Sequence, residues 1–400
     1  MTLYNEIAQK AKQYEKDITD FLIKMVKTPS FSTKEKEVIQ VIKTEMKKIG
    51  FDEIKIDGLG NIIGRIGNGP RIIAFDAHID TVYPGDESLW DFPPFDAHIK
   101  DGKVWGRGTV DQEGGMAAMV YAAKIIKKLN LNEKFTIYFT GTVMEEDCDG
   151  LCWQYLIKEE KLKPEMVVIT EPSNMKIARG HRGRMEMSVE VKGLSCHGSA
   201  PERGDNAIYK ISRIALEIEK LNDHLKEDAF LGKGTIAVTQ VRSSSPSQCA
   251  VPDEASIYID RRLTQGETKD SAIKEVKKAA THAGYPDAKI SVPIYDGKAY
   301  TGNTYSTETY FPTWVVEETS PWIQSAVKAY EKVLNKKPIV DKWTFSTNGV
   351  AIAGMFGIPC IGMGPGNEIY AHAPNEATPI EQLVDAAAFY AAYIAQLNER

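Results

Sequence analysis

The chain has 400 residues, 42% of them hydrophobic, which is enough for two domains with sizeable cores. Its 49 basic and 55 acidic residues give a net charge of −6, which argues against nucleic acid as a general partner. No run of about 18 apolar residues occurs, and the mixed-charge N-terminus lacks the apolar core of a secretion signal, so we expect no membrane span.

Five cysteines are scattered irregularly along the chain, the first two being Cys148 and Cys152. An odd number without regular spacing argues against a disulfide framework and for a reducing, cytoplasmic compartment. Cys148 and Cys152 could share a helix face and bind a metal. Because no second thiol pair accompanies them, we favour buried thiols without a metal.

The first part of the chain alternates helical and strand patterns. We predict a helix over about residues 4–27, ended by Pro29, and then a strand at 72–82, a helix at 114–129, and strands at 135–143 and 166–170. Strands that alternate with helices predict an α/β domain with a mostly parallel sheet and helices on both faces.

The pattern changes near residue 183, where RMEMSVEVKG alternates polar and apolar residues as a half-exposed strand does. From there the order strand-helix-strand-strand-helix-strand predicts a smaller α+β domain of ferredoxin-like type over 183–296. Helical and strand patterns of the first kind return afterwards. We therefore predict a catalytic domain formed by 1–182 and 297–400, with 183–296 inserted.

The peptide FDAHID places Asp76, His78 and Asp80 on one face of a strand, near its C-terminal end. Functional sites of open α/β sheets gather at that end. His78 could bind a metal there, with Asp80 accepting a hydrogen bond from the other ring nitrogen. A core histidine paired with a carboxylate explains this peptide equally well.

Further acidic and imidazole groups occur at comparable points. Asp111 lies between glycines before a helix, Glu145 and Glu146 end one strand pattern, Glu171 ends another, and His372 lies in a late polar loop. Each alone could belong to an ordinary turn. Together, histidines and carboxylates without cysteine suit a catalytic site for zinc, cobalt or manganese.

An ordered set of motifs then resembles a known family. AHIDTV, WDFPPFDAHIKDGKVWGRGTVDQEGG, MEED, TEP, KGLSCHGSAP, YIDRRL and AHAPNE follow one another as in the M20 metallopeptidases, which include acetylornithine deacetylase and succinyl-diaminopimelate desuccinylase. The resemblance covers nearly the whole chain. It implies a dinuclear amidohydrolase, most simply with zinc, that cleaves an amide or peptide bond in a small substrate.

The resemblance also implies the metal ligands. His78, Asp111 and Glu171 would hold one ion, and Asp111, Glu146 and His372 the other, so that Asp111 bridges the two.

The same resemblance assigns roles to other side chains. Glu145 would be the general base, and Asp80 would orient His78. His197 would stabilise the oxyanion from the inserted domain, often from the partner subunit. The inserted domain would thus act as a lid and as the interface of a homodimer.

Substrate contacts are also implied by the resemblance. Arg262 matches an arginine proposed to hold a substrate carboxylate, and Ser346, Thr347 and Asn348 match a substrate-binding turn. An exposed strand arginine and simple turn residues are the alternatives. For His181, at the domain junction, we favour a hinge role over a substrate contact.

Departures from the family pattern affect the substrate prediction rather than the ligands: Gln112 and Glu113 follow Asp111, Cys249 precedes a Val-Pro pair, and Asn348 replaces an aspartate. The TEP motif, with glutamate where many carboxypeptidase-like members have aspartate, resembles the deacylase branch of the family, which implies a deacylase or deacetylase of N-acyl amino acids. A dipeptidase, aminopeptidase or carboxypeptidase is the alternative within the enzymes. An inactive binding protein is disfavoured because every proposed ligand and Glu145 are present.

Overall fold

The computed structural model describes residues 1–399. A large eight-stranded sheet has its strands in the order Glu53–Ile56, Ile62–Ile66, Phe135–Thr142, Arg71–His78, Met166–Ile169, Cys360–Gly362, Ile177–Ala178 and Val340–Asp341. The three successive pairings from Phe135–Thr142 to Cys360–Gly362 are parallel, so these four strands end at one edge of the sheet. The prediction of a mostly parallel sheet is confirmed.

The helices of this part of the molecule are Leu3–Gln13, Glu15–Val26, Lys36–Ile49, Glu113–Lys128, Leu151–Lys158, Pro321–Leu334 and Ile380–Asn398. Glu113–Lys128 and Ile380–Asn398 are buried on nearly every side, as expected of helices that are rich in alanine and apolar around their circumference. None of the helices within 1–399 is both long and apolar enough to cross a membrane.

The prediction of one continuous helix over 4–27 is wrong. The helix is interrupted at Tyr14, whose φ of −95° and ψ of 5° separate Leu3–Gln13 from Glu15–Val26. Both helices bury an apolar stripe, including Ile7 in the first and Ile18 in the second. The hydrophobic pattern therefore continues through the break and does not reveal it.

A second sheet is antiparallel, with its main strands in the order Thr235–Ser244, Glu254–Leu263, Gly183–Lys192 and Lys289–Ser291. Helices Ala207–Asp223 and Lys269–His282 pack against it and enclose a separate apolar core. This is the predicted ferredoxin-like order. The strand Tyr310–Phe311 also pairs with Gly183–Lys192, so the sheet includes residues beyond position 296. The exact division into two domains stays a proposal, and we refer to this part as the lid.

Two segments that connect the lid to the larger sheet pair with each other, as Gly180–His181 and Trp314–Val315. His181 is buried there, and its Nε2 accepts hydrogen bonds from Trp314 Nε1 at 2.7 Å and from the Thr347 backbone N–H at 3.1 Å. Burial lowers the pKa of His181 to about 4, so the ring is neutral. These contacts fit a hinge residue.

Short strands complete the fold: His98–Lys100, Lys103–Trp105, Glu227–Asp228, Gly232–Lys233, Ile294–Tyr295, Thr307–Glu308 and Ala377–Pro379.

Candidate metal centre

Parallel strand pairing brings the polar residues of the sheet edge together. His78 is paired in register with Thr142, and Asp76 with Ile169. The strand Phe135–Thr142 therefore leads to Glu145 and Glu146 beside His78. The strand Met166–Ile169, on the other side of Arg71–His78, leads to Glu171. Such an edge is where open α/β sheets place their sites.

His78 lies at the centre of this cluster and is buried. Its Nε2 lies 2.9 Å from Asp111 Oδ1, 3.6 Å from Glu171 Oε1 and 4.0 Å from Glu145 Oε2. Its Nδ1 lies 2.9 Å from the backbone oxygen of Asp80. With the Nδ1 proton donated to that oxygen, the Nε2 lone pair faces the carboxylates, as a metal ligand requires.

Asp80 contacts more than the histidine. Its Oδ1 is 3.5 Å from His78 Nδ1, whereas its backbone oxygen is only 2.9 Å from the same nitrogen. The carboxylate accepts hydrogen bonds from the backbone N–H groups of Glu145 at 3.1 Å and Glu146 at 3.0 Å, and from the Ser32 hydroxyl at 2.7 Å. Asp80 thus holds the turn that carries both glutamates, and its carbonyl rather than its carboxylate is nearest the ring.

Asp111 lies between the two histidines. Its Oδ1 faces His78, and its Oδ2 is 3.3 Å from His372 Nε2, which also lies 3.0 Å from Glu146 Oε2. The peptide bond between Asp111 and Gln112 is cis. The His372 side chain is 53% exposed, so this side of the cluster is open to solvent.

A buried carboxylate, Glu376, holds the backbone at Asp111. Its Oε1 accepts hydrogen bonds from the N–H groups of Val110 at 2.7 Å and Asp111 at 3.0 Å, while Arg107 Nη1 lies 2.5 Å from its Oε2. Glu376 is part of the AHAPNE motif, but no local pattern indicates that it contacts the backbone at Asp111, 265 residues away along the chain.

The cluster fits divalent cations. Two groups have ligand atoms within 4.8 Å of one another, His78–Glu145–Glu171 and His78–Asp111–Glu146. Glu145 Oε1 and Glu171 Oε2 are buried without a hydrogen-bond partner among the described residues. Ligand atoms around one tetrahedral zinc ion lie about 3.3 Å apart, since each is roughly 2.0–2.1 Å from the metal. The 2.9–3.6 Å contacts made by His78 and His372 lie on either side of that separation.

The protonation energetics point the same way. Burial, followed by the charge of Asp111, raises the pKa of Glu146 to about 7. Burial also raises the pKa values of Glu145 and Glu171 well above their usual range, although the nearby charge of His78 acts in the opposite direction. Hydrogen bonding to Asp111 and Glu146 raises the pKa of His372 to about 10. A bound cation would relieve the repulsion among these carboxylates.

Beside the cluster lies a cleft of about 380 Å³. In addition to the cluster residues, its walls contain Asp149, Arg184, Arg262, Thr344, Phe345, Ser346, Glu368 and Ala371. The cleft therefore contains both carboxylates and two guanidinium groups.

The predicted substrate-binding residues are placed differently from one another. Arg262 and Ser346 line the cleft. Thr347 and Asn348 are buried outside its lining: Thr347 Oγ1 lies 3.0 Å from His181 Nε2, and Asn348 Nδ2 donates to Asp76 Oδ2 at 2.9 Å. Their side chains support the turn rather than face the cleft.

His197 is also outside the cleft lining. It lies in an exposed part of the lid, where its Nδ1 is 2.7 Å from the Ser199 hydroxyl. Within a single chain, the structure does not bring it to the cluster.

Sequence reasoning did not identify Arg184, which lies directly across from Arg262 in the lid sheet. Arg184 occupies a polar position of the alternating segment RMEMSVE. The alternation alone could suggest that it is exposed, but only the strand register places it beside Arg262.

An imidazole–carboxylate cluster that suits divalent ions, at the edge of an α/β sheet and beside a smaller lid, is the arrangement of a metal-dependent hydrolase. The chain belongs to peptidase family M20/M25/M40, whose model matches residues 74–396. It is therefore an enzyme of the hydrolase class.

Relatives in sequence agree with this membership. The uncharacterized protein YgeY of Escherichia coli K12 is 54% identical over 386 residues, which cover 96% of each chain. A probable succinyl-diaminopimelate desuccinylase of Staphylococcus epidermidis is 25% identical over 393 residues, which cover 90% of this chain and 93% of the relative.

Solved structures share the fold. Aminopeptidase PepT of Bacillus cereus aligns with a TM-score of 0.73 at 22% identity, covering 96% of this chain and 99% of its own. The di-peptidase Dug1p of Saccharomyces cerevisiae aligns with a TM-score of 0.72 at 16% identity, covering 100% and 99%. YXEP of Bacillus subtilis, a dinuclear metal-binding M20 peptidase, aligns with a TM-score of 0.72 at 15% identity, covering 97% and 99%.

We expect Glu376→Gln to weaken metal binding by about 10- to 100-fold, because the neutral amide holds the backbone at Asp111 less firmly. Metal affinity is measured by competition with a chromophoric chelator, with the thermal midpoint as a check on folding. Glu381→Gln, at the exposed start of the last helix, is the matched control. A loss of stability with unchanged metal affinity would show that Glu376 acts on the fold alone.

Proposed function

We propose that this enzyme hydrolyses the amide bond of an N-acyl amino acid, as a deacylase or deacetylase. The observation that carries the proposal is the buried carboxylate of Glu145 beside the ligand cluster, one oxygen of which has no hydrogen-bond partner among the described residues, in a cleft that also contains guanidinium groups. Two divalent ions, zinc or alternatively cobalt or manganese, would be held by His78, Asp111, Glu146, Glu171 and His372.

When bound, such ions would polarise the scissile carbonyl and make an attacking water more acidic. Glu145 is suited to receive the proton of that water, since it is buried beside the cluster and its Oε1 has no hydrogen-bond partner among the described residues. The same carboxyl group can then deliver the proton to the nitrogen of the leaving amine as the bond from carbon to nitrogen breaks. Asp80 positions Glu145 through the backbone hydrogen bond described above.

The cleft volume of about 380 Å³ suits a small substrate rather than a folded protein. The Staphylococcus epidermidis relative is named a desuccinylase, which supports an acyl group on the substrate nitrogen. The test is a panel of N-acetyl and N-succinyl amino acids and dipeptides, assayed after loading with zinc, cobalt or manganese. We expect the acylated amino acids to give the highest kcat/KM, and hydrolysis of dipeptides alone would contradict the proposal.

A dipeptidase or aminopeptidase is the second candidate, because Asp149 and Glu368 line the cleft and could bind a free ammonium group. In the same panel, this function requires that acylation of the substrate amine abolish turnover. A carboxypeptidase would instead tolerate acylation and depend on the residue at the free carboxyl end. An inactive binding protein would turn over none of the compounds.

We also propose a homodimer formed through the lid. Helix Ala207–Asp223 and the edge strand Thr235–Ser244 expose large apolar side chains, among them Tyr209, Leu216 and Val241. Such a surface favours association. His197, which lies on the lid away from its own cleft, would then stabilise the oxyanion in the cleft of the partner subunit.

Mixing inactive variants tests this arrangement. We expect His197→Ala and Glu145→Gln to be nearly inactive alone, and an equal mixture, after subunit exchange, to recover about a quarter of the wild-type activity. The recovery arises because half of the dimers are mixed and each of these has one complete site. Glu145→Gln mixed with the double variant is the control. Mixed dimers that sediment as such but remain inactive would contradict the role of His197 across the interface.

A further inference from the structure

Two arginines face each other on the lid sheet. Arg184 and Arg262 are direct cross-strand partners in the antiparallel pair, and both line the cleft. Like charges at directly opposed positions destabilise a sheet unless anions lie nearby. The carboxylate contacts of each guanidinium therefore show which arginine still has N–H donors available for an incoming anion.

Arg262 already has its own anion. Its Nε lies 2.8 Å from Asp260 Oδ1 and its Nη2 lies 3.2 Å from Asp260 Oδ2. The two side chains thus form a bidentate ion pair within one strand. Its side chain is 32% exposed. A substrate carboxylate at Arg262 would have to compete with Asp260.

Arg184 is less well satisfied. Its nearest carboxylate oxygens are Asp149 Oδ1 at 3.5 Å and Glu186 Oε1 at 3.8 Å, and its buried Nε has no hydrogen-bond partner within the described residues. The other oxygens of these two acids accept hydrogen bonds from the hydroxyls of Ser346 and Tyr258. Both acids are therefore held back from the guanidinium.

The guanidinium of Arg184 is also held in place. Its Cζ lies 4.6 Å from the ring centre of Phe311, the cross-strand neighbour on the other side, and its side chain is only 18% exposed. A guanidinium that is stacked, partly desolvated and short of acceptors binds an incoming carboxylate at little ordering cost.

We propose that Arg184, rather than Arg262, binds the free carboxylate of the substrate and sets the preference for amides that carry one. This inference rests on the proposed function, because it places the carboxylate of an N-acyl amino acid or dipeptide opposite the metal cluster. Arg262, held by Asp260, supplies charge without a direct bond.

The test compares the best acid substrate of the panel with the same compound as its primary amide. We expect Arg184→Gln to lower kcat/KM for the acid by about 10- to 100-fold, the loss of charge-assisted hydrogen bonds, and to leave the amide substrate within about threefold. Arg262→Gln removes a charge that makes no direct bond to the substrate, so it should lower kcat/KM for the acid clearly less than Arg184→Gln does. Arg65→Gln, an ion-paired arginine remote from the cleft, is the matched control.

Metal content and circular dichroism establish that each variant is folded, and Arg184→Lys, which keeps the charge without the fork, should be intermediate. Equal losses on both substrates in Arg184→Gln, or loss of discrimination in Arg262→Gln instead, would overturn the assignment. If the wild-type protein hydrolyses nothing in the panel, the proposed function fails separately. Calorimetric titration of N-acetyl amino acids then decides on Arg184: binding weakened by Arg184→Gln supports it, and absent or unaffected binding overturns it.

Discussion

Glu145→Gln is expected to lower kcat by about 10²–10⁴-fold, the usual contribution of a general base. Glutamine keeps the shape of the side chain and cannot take a proton from the attacking water. The carboxylate it replaces is buried, has one oxygen without a hydrogen-bond partner in the described part of the chain, and has a pKa raised by burial. Steady-state kinetics on the best panel substrate give kcat, and metal analysis of the same preparation gives the number of bound ions per chain.

Metal content separates two roles for Glu145, because one of its carboxylate oxygens could also hold an ion together with His78 and Glu171. Retained metal with lost turnover identifies a proton carrier. Parallel loss of one ion and of activity identifies a ligand instead. Asp147→Asn, two residues away and outside the cleft lining, is the control, and unchanged turnover in Glu145→Gln would remove this residue from the mechanism.

Asp111→Asn is expected to reduce activity to background and to reduce the bound metal. Its two oxygens face the two histidines, so the variant removes one charge from both halves of the cluster. In the wild-type protein, added zinc should raise the thermal midpoint, since a ligand that binds only the folded state stabilises it. In the variant, this increase should be largely lost.

Inductively coupled plasma mass spectrometry gives the number of ions per chain. Thermal scans with chelator and then with metal give the increase in the thermal midpoint that metal binding causes. Asp101→Asn, in an exposed turn of the same domain, is the matched control. One retained ion would indicate a site that forms without Asp111. Two retained ions at wild-type affinity would contradict a bridging role.

Much of the site could be predicted from local sequence. His78 ends one strand, while Glu145 and Glu171 follow two others, and the parallel pairing of these strands places their ends at one edge. The motif order indicated the M20 family, which the family model confirms. The metal ligands and Glu145 as base remain predictions, although the structure brings all of these side chains together.

Other features depended on contacts between distant parts of the chain. Asp80 lies near His78 in sequence, but its carboxylate holds the turn at Glu145 and Glu146, which belong to another strand. Thr347 and Asn348 are polar and lie in a turn, yet their partners His181 and Asp76 draw them into the interior. Local polarity does not reveal which buried acceptor a side chain will find.

The sequence by itself determined the fold class, the family and the edge of the sheet at which the acidic residues lie. Hydrophobic periodicity and the succession of strands and helices along the chain are local properties that the sequence displays directly. The tertiary structure decided which carboxylate oxygens have no hydrogen-bond partner within residues 1–399, and that the carboxylates nearest Arg184 lie 3.5 Å away or farther. Those properties depend on strand register and on hydrogen bonds between residues hundreds of positions apart, as between Glu376 and Asp111. Local patterns carry no record of either.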